Sequence, residues 1–387
     1  MTTATLTPLV LVAELTHRCP LHCVYCSNPI TLSKREAEMP TEMWVRIFEE
    51  AAAAGVLQAD MTGGEPLTRG DIVELVRAGR EVGLYVSLIT SGLPLNEAKL
   101  EALVEAGLDH FQLSFQGANE QTALEISNTT SHAHKLRVLQ WLKKWHVGVT
   151  LNFVIHRQNI PELEGMLALV EEHQPSKAEF ASVQYYGWGF ANREALLPTR
   201  QQLDQCLETL KTAENKMRGK TRIVFVVPDY YAKYPKPCVG GWGRKLMLVS
   251  PEGTVLPCHA ASVIPGLRFD NVKEKPLREI WENSAAFRHF RGEAWMQEPC
   301  KSCDRRHQDF GGCRCQAFLL AGDASATDPV CSLAPTRHRV DAILGAINQQ
   351  PPQGPEEKPN YVYRWSPGLS SCCPIDRLED THHDPDT

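Results

Sequence analysis

The sequence has no long hydrophobic run, no excess of positive charge and no internal repeat. A membrane-spanning helix needs about 20 consecutive apolar residues, and no stretch of that length is present. The first apolar run, in MTTATLTPLVLVAEL, lacks the basic residues of a signal peptide and stops at Glu14. The net charge of −6 argues against a nucleic-acid surface that depends on positive charge. We therefore expect a cytoplasmic protein with no membrane or nucleic-acid partner.

The composition is otherwise that of a soluble globular protein. The chain has 387 residues, of which 43% are hydrophobic and 22% are charged, so it is long enough to bury a substantial core. At roughly 100–200 residues per domain, this length predicts two domains or one large one.

Cysteine is the unusual feature. The chain has 13 cysteines, an odd number that does not fit a complete disulfide framework. In a reducing compartment such a set is more often metal-binding or catalytic. Three of them lie close together near the N-terminus, eight lie between 206 and 331, and Cys372 and Cys373 lie near the C-terminus.

The first half of the chain alternates between strand-like and helix-like patterns. We predict strands at 9–15, 56–62, 84–90, 110–115, 149–155 and 178–184, and helices at 41–54, 71–82, 96–106, 132–146, 161–173 and 199–217. Six successive βα units form a parallel sheet with right-handed crossovers. We therefore predict an α/β fold, a partial (β/α)6 barrel over 8–218, with its chemistry at the carboxyl ends of the strands.

The pattern changes after residue 218. Strands become short, proline, glycine and cysteine become frequent, and 246–258 is typical of a β-hairpin. We predict a second, metal-stapled domain over 219–340. The polar, proline-rich residues 345–387 are predicted to be a disordered tail.

Three cysteines follow the first predicted strand in the pattern C-x3-C-x2-C. Cys19, Cys23 and Cys26 lie on one short loop, so three thiolates could hold three irons of a cubane cluster and leave the fourth iron open. Zinc, with His17 or His22 as the fourth ligand, and buried free thiols are the alternatives.

This loop resembles the signature of the radical S-adenosylmethionine (radical SAM) enzymes. In that family the open iron of a [4Fe–4S] cluster binds S-adenosylmethionine, and one electron then releases a 5′-deoxyadenosyl radical. Residues 63–66, GGEP, follow the second strand and resemble a second family motif, in which the carboxylate of Glu65 pairs with the methionyl ammonium. The resemblance implies contacts to S-adenosylmethionine from strand-end residues, each of which could instead be an ordinary polar turn or strand residue: Gly63, Gly64, Glu65, Ser91, Gln116 and Asn152.

The later cysteines resemble the SPASM extension of radical SAM peptide-modifying enzymes, which carries two auxiliary iron–sulfur clusters. The family pattern C-x2-C-x5-C-x3-C is interrupted here, because Asp309 stands at one cysteine position and the usual cysteine soon after the one matching Cys238 is missing. A carboxylate can ligate iron, and Cys315 can substitute for the missing cysteine; His307 is an alternative to Asp309. The resemblance thus implies one cluster on Cys300, Cys303, Asp309 and Cys331, and another on Cys238, Cys258, Cys313 and Cys315.

A closer resemblance covers about residues 8–335. Segments such as VQYYGWGFANREALLPTR and DFGGCRCQAFLLAGDASATDPVCSL resemble the radical SAM enzymes of pyrroloquinoline quinone (PQQ) biosynthesis. That family joins a Glu and a Tyr side chain of the ribosomal precursor peptide PqqA, which the carrier protein PqqD presents. The resemblance therefore implies these two partners and a reductant such as flavodoxin. Polar and aromatic residues after the sixth strand are candidate substrate contacts: Gln184, Tyr185, Tyr186 and Trp188.

Two other functions fit the sequence pattern. One is a different SPASM peptide maturase, which makes thioethers or oxidises a sulfatase residue. The other is a non-catalytic binding protein stapled by two zinc sites, because four cysteines equally form a zinc set.

Overall fold

The computed structural model describes residues 6–349 and 359–364. The remaining residues of the predicted tail, with Cys372 and Cys373, lie outside this range. Within the described residues no helix is long and apolar enough to cross a membrane.

In the part of the chain that the structure describes, nine strands form one sheet. They are β1 Val10–Glu14, β2 Gln58–Thr62, β3 Tyr85–Thr90, β4 His110–Phe115, β5 Gly148–Ile155, β6 Lys177–Ser182, β7 Arg222–Phe225, β8 Leu246–Val249 and β9 Val255–Leu256.

The strand order is β7-β6-β5-β4-β3-β2-β1-β8-β9, and every pair is parallel except β8–β9. Strands β1 to β6 follow each other in sequence and in space, as six βα units require, so the predicted open barrel is confirmed. The predicted hairpin is also confirmed, because Leu248 pairs with Leu256 and Val249 with Val255.

The helices alternate with or follow strands β1 to β6, and those nearer the C-terminus follow β9. They are α1 Thr41–Ala53, α2 Ile72–Glu81, α3 Glu97–Glu105, α4 Glu120–Ser127, α5 His132–Lys144, α6 Leu163–His173, α7 Gly187–Ala191, α8 Arg193–Leu196, α9 Arg200–Lys216, α10 Leu277–Asn283, α11 Ala285–His289, α12 Arg306–Asp309, α13 Arg314–Ala321 and α14 Arg337–Gln349.

The apolar periodicity of the sequence explains the main core. In α1, Trp44, Ile47, Phe48 and Ala51 recur at helical spacing and are all buried against the sheet. Burying one such large side chain contributes roughly 1.5–3 kcal/mol, which fixes this face of the helix toward the barrel. Strand β4 alternates instead, with Phe111, Leu113 and Phe115 buried.

The sheet continues past residue 218. Strand β7 pairs with β6, and β8 pairs with β1 on the other side of the barrel, so residues from the predicted second domain extend both ends of the first domain's sheet. Among the described residues no pairing joins β7 to β9, and the barrel stays open.

Part of the predicted tail is ordered. Helix α14 reaches Gln349, and residues 359–364 pack on the barrel with Arg364 only 1% exposed. Tyr361 and Tyr363 pack with Val24 and Ile126, and Ile347 lies in a cluster with Val330 and Val340.

Candidate active site

The first three cysteines lie on a loop that leaves the carboxyl end of β1. We call residues 15–28 the triad loop. Backbone hydrogen bonds tie it to helix α4, from His22 N–H to Ser127 O at 2.8 Å and from Val24 N–H to Ile126 O at 3.0 Å. All cysteines among the described residues are free thiols.

Burial raises the pKa of the three thiols. The pKa of Cys19 is raised to about 12, and those of Cys23 and Cys26 are raised for the same reason. Thiols with such pKa values stay protonated at neutral pH until a metal takes them as thiolates. The loop therefore supplies three soft sulfur donors whose deprotonation is coupled to metal binding.

The glycines after β2 pack against this loop. A Cβ on Gly63 would lie 2.2 Å from Thr16 O, and one on Gly64 would lie 2.4 Å from Arg18 O. Gly63 also has a φ of +140°, which side chains disfavour. The sequence predicted close approach to a ligand at these glycines, whereas the structure shows close approach to the triad loop.

Glu65 is fully buried and lies between two strand ends. Its Oε1 accepts hydrogen bonds from Leu67 N–H at 3.1 Å and from Thr90 Oγ1, and its Oε2 accepts from Ser91 N–H at 2.8 Å and from Ser91 Oγ. Although burial raises the pKa of this carboxyl, these donors favour its charged form. The carboxylate thus holds β2 and β3 together where the sequence predicted a ligand contact.

A buried lysine lies beside the fourth strand end. Lys135 of α5 is 1% exposed, and its Nζ donates to Ser114 O at 2.8 Å and to Gln116 Oε1. Burial lowers its pKa to about 8, and the charges of Cys23 and Glu65 act in the opposite direction. The sequence analysis did not identify this residue. A lysine on the apolar face of a helix could have indicated it, because a buried lysine almost always has a specific partner.

Asn152, another predicted contact to S-adenosylmethionine, lies within a strand. It lies on β5, paired in register with Ser114 of β4, and is buried. It therefore shares this layer of the sheet with the residue whose carbonyl Lys135 contacts.

The predicted substrate contacts do not form one cluster. Gln184 is exposed and accepts a hydrogen bond from Tyr186, whereas Tyr185 packs on Tyr230 with ring centroids 5.1 Å apart. The chain folds over the triad loop here, since a Cβ on Gly187 would lie 2.7 Å from Asn28 O. Trp188 is buried, and Tyr185 and Tyr186 point into different clusters.

Four thiols lie close together next to Tyr186. We call this set the four-thiol group: Cys238, Cys258, Cys313 and Cys315. Cys258 Sγ lies 3.9 Å from Cys315 Sγ, and hydrogen bonds join Cys238 to Cys258 and to Cys313. Hydrogen bonding to Cys258 raises the pKa of Cys238 to about 12. Burial raises the pKa of the Tyr186 hydroxyl well above its usual value, and the charges of Cys258 and Cys315 raise it further.

A second set surrounds a small cavity. We call it the Asp309 group: Cys300, Cys303, Asp309 and Cys331, all of which line the cavity. Asp309 ends α12 and accepts a hydrogen bond from Gly311 N–H at 3.0 Å. His307, the alternative ligand, has a side chain 61% exposed and pairs with Glu293 at 2.8 Å, away from the cavity.

These donor sets fit iron–sulfur clusters. The triad loop offers three thiols, the four-thiol group offers four, and the Asp309 group offers three thiols and a carboxylate around a cavity. Among the described residues, no three or more His, Cys, Asp or Glu side chains meet the geometry that would hold a single metal ion.

A buried hydrogen-bonded carboxylate links two of the sets. Glu14, at the end of β1, receives a hydrogen bond from His259 Nδ1 at 2.8 Å and lies 3.6 Å from His17 Nε2. Burial alone would raise the pKa of Glu14, but the two histidines lower it to about 2. His259 follows Cys258 and His17 precedes Cys19, so the triad loop and the four-thiol group share one anchor.

Two family models and several curated relatives match this chain. Residues 13–170 match the radical SAM superfamily, and residues 238–304 match the SPASM iron–sulfur cluster-binding domain. The PqqA peptide cyclase of Methylobacterium sp. (strain 4-46) is 51% identical over 358 residues, which cover 92% of this chain and 93% of the relative. That of Gluconobacter oxydans (strain 621H) is 49% identical over 345 residues, covering 89% and 96%.

Solved structures share the fold at low sequence identity. Streptococcus suis SuiB bound to S-adenosylmethionine superposes with a TM-score of 0.71 at 19% identity, covering 84% of this chain and 78% of that one. Native anSMEcpe with bound AdoMet and Kp18Cys peptide gives a TM-score of 0.62 at 17% identity, covering 89% of this chain and 100% of that one.

Proposed function

Because the chain belongs to the family of PqqA peptide cyclases, we propose that it joins a Glu and a Tyr side chain of the precursor peptide by a carbon–carbon bond. The chain is a radical SAM enzyme with an iron–sulfur SPASM domain, and this excludes the non-catalytic zinc-stapled alternative. The observation that carries the proposal is 51% identity across 92% of the chain.

We assign the cluster that binds S-adenosylmethionine to Cys19, Cys23 and Cys26. A [4Fe–4S] cluster held by these three thiolates would have one iron without a protein ligand, which could bind the cosubstrate. When bound, the cluster and S-adenosylmethionine would supply an electron and a 5′-deoxyadenosyl radical able to take a hydrogen atom from the peptide.

In this proposal, the residues around the three cysteines bind and orient S-adenosylmethionine. The Glu65 carboxylate is the counter-ion for the methionyl ammonium, and the hydroxyls of Thr90 and Ser91 can rotate to make room for that donor. Lys135 holds Gln116 in place through the hydrogen bond from its Nζ to Gln116 Oε1. These buried contacts keep water from the site, which protects the radical.

The cross-link removes two hydrogen atoms from the peptide. One leaves the Glu side chain as a hydrogen atom and is received by the nucleoside. The Glu carbon radical attacks the Tyr ring, which then loses a proton and an electron to regain aromaticity. We propose that the four-thiol group and the Asp309 group would each hold an auxiliary cluster, and such a cluster would supply an acceptor for this electron.

We further propose that the substrate arrives as a complex with PqqD. Fixing a flexible peptide costs about 1–2 kcal/mol per ordered residue, so a carrier that orders the peptide beforehand lowers that cost. Flavodoxin, or a similar reductant, supplies the electron for each cleavage. The contact candidates remain Gln184, Tyr185, Tyr186 and Trp188, of which Tyr186 lies nearest the four-thiol group.

An anaerobic reaction tests the proposal. Reconstituted enzyme, precursor peptide, carrier and reductant should give a peptide lighter by the mass of two hydrogens, with fragmentation blocked between the linked Glu and Tyr. The matched control is the enzyme with Cys19, Cys23 and Cys26 changed to Ala. Formation of 5′-deoxyadenosine with an unchanged peptide mass, in the presence of all three clusters and the carrier, would instead indicate another SPASM maturase.

A further inference from the structure

A short C-terminal segment crosses the triad loop. We call residues 359–364 the C-terminal strap. Val362 N–H donates to Asn192 Oδ1 at 2.8 Å, and Asn192 Nδ2 donates back to Val362 O at 2.8 Å. The same Nδ2 donates to Val24 O of the triad loop at 2.8 Å. A single buried amide therefore fastens the strap to the loop that carries the three cysteines.

Aromatic side chains add to this attachment. The Tyr361 and Tyr363 rings lie 5.9 Å apart and pack with Val24 and Ile126. The Tyr363 hydroxyl donates to Glu125 O at 2.6 Å. The strap thus contacts both the triad loop and α4.

Arg364 is the residue of the strap that contacts the triad loop most directly. Its carbonyl accepts a hydrogen bond from His22 Nδ1 at 2.9 Å, and its guanidinium donates to His17 O. The guanidinium also lies over the Trp188 ring, 5.9 Å from its centroid. His17 precedes Cys19 and His22 precedes Cys23, so one residue holds the loop on both sides of Cys19.

The guanidinium also brings a permanent positive charge into a buried site. Arg364 is 1% exposed, and its guanidinium donates to His17 O, two residues before Cys19. A buried cation is stable only next to anions or acceptors. Three thiolates holding a cluster would be an anionic partner for the Arg364 guanidinium. A nearby cation also makes a cluster easier to reduce.

We propose that Arg364 is a positioning residue of the triad site, through which the C-terminal strap holds the loop and places a fixed cation beside the three thiolates. This inference rests on the proposed assignment of a cluster to Cys19, Cys23 and Cys26. It extends the site to a part of the chain that the radical SAM and SPASM matches, at 13–170 and 238–304, do not include.

Four variants test this role. Arg364→Gln removes the charge and most of the donors, and Arg364→Lys keeps the charge but loses the planar fork. Truncation after residue 358 removes the strap, and truncation after residue 364 is its matched control. Arg278→Gln is a second control, because this arginine is 70% exposed and pairs with Glu282 on the surface of α10.

The first readout needs no cluster. Hydrogen exchange of the metal-free protein should show residues 17–26 exchanging about tenfold faster in Arg364→Gln, as expected for the loss of about one hydrogen bond. Arg364→Lys should show a similar increase. Truncation after 358 should show a larger one, because it also removes the Val362, Tyr361 and Tyr363 contacts, and both controls should match the wild type. Unchanged protection in Arg364→Gln would overturn the positioning role, whether or not the peptide is ever cross-linked.

The second readout is the midpoint potential of the triad cluster, measured by electron paramagnetic resonance during reductive titration. It should become more negative in Arg364→Gln and stay near the wild-type value in Arg364→Lys. An unchanged potential in Arg364→Gln would overturn the charge role. If truncation after 358 raised peptide affinity and turnover, the strap would be an occupant of the substrate site and the proposal would be wrong.

Discussion

The triad loop and the four-thiol group differ in the number of their donors and in the charges around them. The loop has three thiols with two buried cations nearby, Lys135 and Arg364, and a buried carboxylate, Glu65. The four-thiol group has four thiols that contact one another, and Tyr186 covers it. Three donors leave a position for a cosubstrate, whereas four donors close a site.

The Asp309 group lies between these extremes. It has a complete set of four donors like the four-thiol group, but one is a carboxylate and the set surrounds a cavity near the surface. In the function proposed above, the three-thiol site would carry out the chemistry and the two four-donor sites would carry electrons.

Removing the open site should have the largest effect. Changing Cys19, Cys23 and Cys26 together to Ala should abolish 5′-deoxyadenosine formation, because no cluster with a free iron remains. The nucleoside is measured by chromatography with a strong chemical reductant. Cys206→Ala is the matched control, since this thiol is 1% exposed in the main core, away from the cluster groups. Undiminished cleavage by the triple variant would refute the assignment.

Changing a closed site should separate cleavage from cross-linking. Asp309→Ala should lower cross-linking by at least about tenfold, as is typical for changes around a metal site, while the resonance signal of the triad cluster stays unchanged. Asp309→Cys should keep the cluster at an altered potential, because a thiolate donates more charge. His307→Ala should behave as wild type. Identical auxiliary-cluster spectra for Asp309→Ala and wild type would show that Asp309 is not a ligand.

The packing of the triad loop provides a test of the loop's geometry. Gly63→Ala should destabilise the protein by about 1–3 kcal/mol, because the new Cβ meets Thr16 O and the backbone φ is unfavourable. Gly70→Ala is the control, since nothing lies within 4 Å of its Cβ position. Urea unfolding of the metal-free protein measures both. Equal free energies of unfolding for the two variants would mean that the triad loop can move away from the new Cβ without destabilising the protein.

A smaller effect concerns pH. Burial lowers the pKa of His156 to about 3, whereas its unfolded value is near 6.5. The unfolded chain binds more protons between these values, so stability is lost as pH falls below about 6.5. Between pH 7 and 5 this histidine should cost about 2 kcal/mol, and His156→Phe should remove that loss. Parallel denaturation curves for wild type and variant at both pH values would contradict the buried neutral state.

Much of the barrel could be predicted because its signal is local. The apolar period fixes β4 at His110–Phe115, as predicted, and places α6 and α9 within two residues of their observed ends. Helix α4 was missed because it is short and follows β4 within a few residues. Its N-cap Asn119, whose side chain accepts from Thr122 N–H, was the available signal.

The site was only partly predictable for a different reason. The cysteine spacing is a sequence pattern, but Lys135 and Arg364 act through contacts with residues far away in the chain. Arg364 lies 347 residues from His17, whose carbonyl it contacts, and follows a segment whose composition suggested disorder. Tyr185 and Tyr186 are adjacent in sequence yet pack in different clusters, which a linear pattern cannot show.

The most direct test of the account uses an isotope. Precursor peptide deuterated on the Glu side chain is treated anaerobically with reconstituted enzyme, carrier and reductant, and the 5′-deoxyadenosine is examined by mass spectrometry. The account predicts that deuterium appears in the nucleoside in proportion to cross-linked peptide. Cross-linked peptide accompanied by nucleoside that contains no deuterium would contradict it, because the hydrogen atom would then have come from another position.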